Sequence, residues 1–102
     1  MKIYNKLVRD NIPQIIEKDG KTCKTRVLSD GEFLEKLNAK LQEEVAEYLQ
    51  SGEVEELADI LEVVYALARV KGHDTQQLED IRVEKARKNG AFEQKLLLEY
   101  VN

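Results

Sequence analysis

Residues 34–68 carry two apolar stripes at helical spacing, broken once at Gln50-Ser51-Gly52, and both stripes have carboxylates set into them. With Leu41 at the centre of the first stripe and 100° per residue, Leu34, Leu37, Val45 and Tyr48 lie within about 40° of it. Glu44 then lies at about −60°, inside the stripe, and Glu47 at about −120°, on its edge. Glu43 lies near −160° and faces outward by the same count. Ile60 centres the second stripe, with Leu57, Val63, Val64 and Leu67 beside it; Glu56 falls at about −40° and Asp59 at about −100°. The pattern predicts an antiparallel helical hairpin turning near Ser51 and Gly52. About that turn Glu47 stands level with Glu56, and Glu44 with Asp59, the two levels roughly 4.5 Å apart along the axis.

Four acids in one pocket repel each other and are poorly hydrated unless a cation joins them or some take protons. An all-oxygen donor set suits a hard divalent ion, Mg²⁺ or Mn²⁺. Acidic residues also solvate ordinary amphipathic helices, but the matched placement of four favours a common pocket. The rest of the composition agrees. A net charge of −4 over 102 residues argues against a nucleic-acid partner, which calls for a basic surplus, and suits a cation binder. No apolar run approaches the ~20 residues of a membrane span, so no membrane partner is expected. The opening Met1-Lys2-Ile3-Tyr4-Asn5 lacks signal-peptide features, and the expected location is cytoplasmic. Cys23 is the one cysteine, which excludes an internal disulfide, and it reads as a structural thiol at least half-buried. His73 is the one histidine, which excludes a two-histidine metal site. No phosphate-binding Gly-x-x-x-x-Gly-Lys-Ser/Thr loop is present.

The chain reads as one all-α domain, residues 1–102, an antiparallel helical bundle with a short extended N-terminal segment. Asp10 or Asn11 caps a short helix with Pro13 in its first turn, and Ile12, Ile15 and Ile16 pack inward. Lys21 to Leu28 reads as a short strand or extended linker; only the first few residues could pair with it. Ser29 and Glu32 have capping-box spacing and start the first long helix, which runs to about Leu49. The second runs from about Glu53 to Lys71. Asp74 and Gln77 start a third, to Lys88, ended by Asn89-Gly90. The tail from Phe92 to Val101 is apolar enough to cover the bundle or a second subunit, as a short helix or an extended arm.

On the third helix, with Leu78 and Ile81 inward, Lys85 and Lys88 fall on the same side, at about +40° and −20° from Ile81. Long basic side chains there can simply snorkel; the chemical reading is that they meet an anion, and phosphate is the natural one beside a divalent ion. Lys6 and Arg9 are further candidates for phosphate. Lys40, one turn before Glu44, is placed to pair with it.

Three segments resemble a known superfamily. Glu43-Glu44-Val45-Ala46-Glu47, followed by Glu56-Leu57-Ala58-Asp59, resembles the Glu-Glu-x-x-Glu … Glu-x-x-Asp signature of the all-α, MazG-like nucleoside triphosphate pyrophosphohydrolases. These are related to phosphoribosyl-ATP pyrophosphohydrolase and dimeric dUTPase. Lys6-Leu7-Val8-Arg9-Asp10-Asn11-Ile12-Pro13 resembles the Lys-Leu-Val-Arg-Asp-x-Ile-Pro start of a small phosphoribosyl-ATP-pyrophosphohydrolase-like branch, and Lys85 to Phe92 its basic segment ending in Gly-x-Phe. The linker from Tyr48 to Glu55 is shorter than in many relatives, and Ala91 stands where a second glycine is expected.

The resemblance implies metal-dependent cleavage of a nucleotide between its α- and β-phosphates, giving a monophosphate and pyrophosphate, with nucleotide-pool cleaning as the role. It implies Glu44, Glu47, Glu56 and Asp59 as ligands of Mg²⁺ and a homodimer or homotetramer as the assembly. Glu43 or Glu47 then orients or deprotonates the attacking water, and Lys6, Arg9, Lys85 and Lys88 hold phosphates. Phosphoribosyl-ATP hydrolysis and a non-catalytic nucleotide- or metal-binding helical module are the competing expectations.

Overall fold

The Ser29 hydroxyl accepts the Glu32 backbone N–H at 3.3 Å, and the Glu32 carboxylate accepts the Ser29 N–H at 3.2 Å. This reciprocal cap fixes where the longest helix starts. The same arrangement, at 2.8 Å both ways, joins Asp74 and Gln77 at the start of the last helix. The structure, a computed structural model, describes residues 1–102 and is all-helical: α1 Ile12–Lys18, α2 Asp30–Ser51, α3 Val54–Val70 and α4 Thr75–Asn89.

α2 ends where Gly52 takes the left-handed conformation, φ 69°, and donates its N–H to the Tyr48 carbonyl at 2.8 Å. Glu53 is the cap residue of α3, so two residues separate the helices. A Cβ at Gly52 would meet nothing within 4 Å, leaving backbone strain as the sole penalty. Gly52→Ala is therefore expected to cost about 1 kcal/mol, measured as a fall in Tm of about 5 °C, with the helices retained.

α2 and α3 pack antiparallel along their length, α4 packs on α3 alone, and α1 approaches no other helix closely. Leu37, Val63 and Ala68 are the buried apolar side chains, with Leu34, Leu41, Ile60, Val64 and Leu67 half-buried around them. Val45, Leu49, Val54, Leu57 and Leu61 are exposed. On the helical count they lie on the flank opposite the carboxylates, where two antiparallel helices cannot cover each other.

Four sequence expectations need correction. Lys21–Leu28 forms no strand, because the first residues, its only available partners, run instead across α2 and α3. Cys23 lies in that unpaired linker and is exposed. Ile15 is exposed because α1 has no helix to pack against. The tail neither coils nor covers this chain's own bundle: Phe92, Leu96, Leu97, Leu98, Tyr100 and Val101 are all at least 75% exposed.

Candidate metal and phosphate site

The hairpin register brings the acids of α2 and α3 together. One carboxylate oxygen from each of Glu44, Glu56 and Asp59 lies within 4.8 Å of the other two. Glu44 is the one buried charged residue of the chain, 8% exposed. Its Oε2 and the Oε2 of Glu56 are both shut away from solvent without a hydrogen-bond partner. Buried polar atoms are ordinarily satisfied, so these two orphaned carboxylate oxygens are exceptions, with acceptor capacity that the chain itself does not use. Glu47 is exposed at the edge and is not part of the tight triad.

Basic side chains close the ring. Lys40 Nζ lies 3.5 Å from Glu44 Oε1 and 3.4 Å from Glu43 Oε2. The N-terminal segment crosses the hairpin here: Lys6 Nζ donates to Glu43 Oε1 at 3.2 Å, and Arg9 Nη2 to Asp59 Oδ1 at 2.7 Å. Glu43 is consequently half-buried rather than outward, because the crossing segment covers a face that a helical count assigns to solvent. Nothing in the spacing of residues 1–10 shows this crossing; its only hint is a mixture of apolar and basic residues with no period. Lys85 and Lys88, expected at phosphate, are exposed on α4 and form no ion pair, outside the ring that one chain assembles. Of the four predicted basic residues, Lys6 and Arg9 are brought to the acids and the α4 pair is not.

The electrostatics follow the geometry. Burial pushes the Glu44 carboxyl up from its ordinary value, and the neighbouring Glu47 and Asp59 push it further against the pull of Lys40. Glu56 is raised by loss of water and by the charges of Glu47 and Asp59. In Glu43, burial works upward but the Lys6 and Lys40 contacts outweigh it, and its carboxyl is lowered. A carboxyl raised on folding binds its proton more tightly in the folded state. The stability from Glu44 and Glu56 is thus fully present below the unfolded carboxylate range and is lost as pH rises from about 4.5 through their raised values. Metal-free protein is expected to melt at a lower temperature at pH 7.5 than at pH 5, and the difference is expected to shrink in Glu44→Gln. Calorimetry at the two pH values checks both.

The class defined by fold and site is an all-α protein whose helical hairpin gathers oxygen donors suited to a hard divalent cation. No helix is long and apolar enough to cross a membrane. No family model matches the chain. An uncharacterised protein of Mycolicibacterium smegmatis is 56% identical over 41 residues, 40% of this chain, and the chain spans 42% of that relative's length. No solved structure matches.

Proposed function

We propose that the protein is a Mg²⁺-dependent nucleoside triphosphate pyrophosphohydrolase that cleaves between the α- and β-phosphates. The observation that carries this reading is the pair of buried, partnerless carboxylate oxygens of Glu44 and Glu56 beside Asp59, with Arg9 set against the third acid. The resemblance of the acidic, opening and basic segments to the MazG-like enzymes supports it. Glu44, Glu56 and Asp59 would hold Mg²⁺, or Mn²⁺, with Glu47 completing the set from its edge. When bound, the ion supplies phosphate charge neutralisation and an activated water.

The remaining roles belong to the chain itself. Arg9 and Lys6 place positive charge at the mouth of the triad, where phosphates arrive and where charge develops on the leaving pyrophosphate. Glu43 is engaged by two lysines. Glu47 has no ion pair and adjoins both Glu44 and Glu56, so of the two it is the one free to orient the water, through the oxygen that does not hold the ion.

The working unit is a homodimer or larger. The chain exposes 9435 Å² and has a radius of gyration of 17.9 Å. A compact chain of this size exposes about 5,900 Å² with a radius of about 13 Å. The excess is several times the ~800 Å² that each partner brings to an ordinary interface. A second copy fits the apolar flank of Val45, Leu49, Val54, Leu57 and Leu61, and Lys85 and Lys88 would serve phosphate only in such an assembly. Pyrophosphate release from a panel of nucleotides, with and without Mg²⁺, tests the proposal: release from none of them would refute it.

A further inference from the structure

Beside the acid triad the N-terminal segment forms one wall of a cleft of about 630 Å³, well within the ~300–1,000 Å³ of small-molecule sites. Leu7, Val8 and Ile12 face Phe33 of α2 and Val63 and Ala66 of α3 across it. Glu44 and Asp59 line the same cleft, so its apolar body opens directly onto the triad. From Asp59 the lining follows α3 to Arg69, ten residues and about 15 Å of helical rise, the scale of an extended nucleoside triphosphate. A second hollow of about 400 Å³ continues past Phe33 and Arg69.

Besides the acids of the triad, the cleft's polar lining comprises Arg9, Lys40, Asn11 and Arg69 and two further carboxylates, Asp10 and Glu62, that form no ion pair. At the triad end Arg9 and Lys40 are committed to carboxylates. Away from it Arg69 forms no ion pair, and Asn11 sits at the N-terminal cap of α1 without using its side chain as a cap. An amide both donates and accepts, and a guanidinium donates in a plane, which are the functions that read a base edge. Phe33 is half-buried and presents an aromatic ring of the kind on which bases stack.

We infer that this cleft takes the nucleoside half of the substrate, with the base on Phe33 and its polar edge at Asn11 and Arg69, so that the N-terminal segment is the specificity wall of the site. The inference rests on the pyrophosphohydrolase reading. It deepens that reading by naming the wall and the side chains that distinguish one nucleoside from another.

The test is calorimetric binding of α,β-methylene nucleoside triphosphates of each common base, and of inorganic tripolyphosphate, all with Mg²⁺. Wild type is expected to bind at least one nucleotide more tightly than tripolyphosphate. Asn11→Ala and Phe33→Leu are each expected to weaken that nucleotide about tenfold while leaving tripolyphosphate within twofold; Phe33→Leu keeps the apolar volume so that folding is preserved. If tripolyphosphate binds as tightly as every nucleotide, or if the variants weaken both ligands equally, the nucleoside cleft is overturned and the metal–phosphate reading stands. If neither ligand binds, both fall.

Discussion

Asp59→Asn and Glu56→Gln are each expected to lower Mg²⁺-dependent pyrophosphate release by at least about 1,000-fold, roughly 4 kcal/mol of transition-state stabilisation. The helical circular dichroism signal should be unchanged. Both positions lie on α3, where neither side chain supports the hairpin core, and both replacements keep the shape while removing charge. A second readout separates loss of the ion from loss of chemistry. Wild-type protein should gain thermal stability with Mg²⁺, by about 2.7 kcal/mol at a hundredfold excess over Kd, and the two variants should gain little. Glu44→Gln should also lose the gain, yet melt no lower than wild type without metal, because it removes a buried anion that the empty pocket disfavours. Undiminished turnover in Asp59→Asn and Glu56→Gln would reject the site.

The other large effect concerns assembly. Leu57→Glu/Leu61→Glu places two charges on the exposed flank of α3, 45% and 46% exposed in a single chain. If a second copy covers that flank, the pair loses two leucine contacts and buries two charges, at least about 3–6 kcal/mol per subunit. Wild type should then melt at a temperature that rises with protein concentration and sediment as a dimer or larger species. The double variant should sediment as a monomer and melt far lower. A wild-type Tm independent of concentration, with monomeric sedimentation, would remove the assembly from the proposal.

The hairpin and its caps were readable from the chain because local rules set them: Ser29 with Glu32, Asp74 with Gln77, and Gly52 act over three or four residues. The triad was readable for the same reason, since two helical periods and one turn fix where Glu44, Glu56 and Asp59 point. Glu43 was not, because its surroundings depend on Lys6, 37 residues away. The cleft wall at Leu7 to Ile12 was hidden likewise: no period announces which surface an irregular segment will cross. Lys85 and Lys88 show the opposite limit. Their wheel positions relative to Ile81 were clear, but Ile81 itself is 46% exposed, so the face they share is not a buried one in this chain.

Loops between helices usually tolerate changes in length, and Gly52-Glu53 is the exception that this protein contains. With no slack between the segments, deleting one residue must either unravel the end of a helix or turn α3 by about 100° about its axis. That rotation would carry Glu56 and Asp59 out of phase with Glu44 while leaving every helix present. The connection therefore acts as a gauge that meters the alignment of the acids, and a deletion answered by rotation would leave a folded hairpin whose three carboxylates no longer meet.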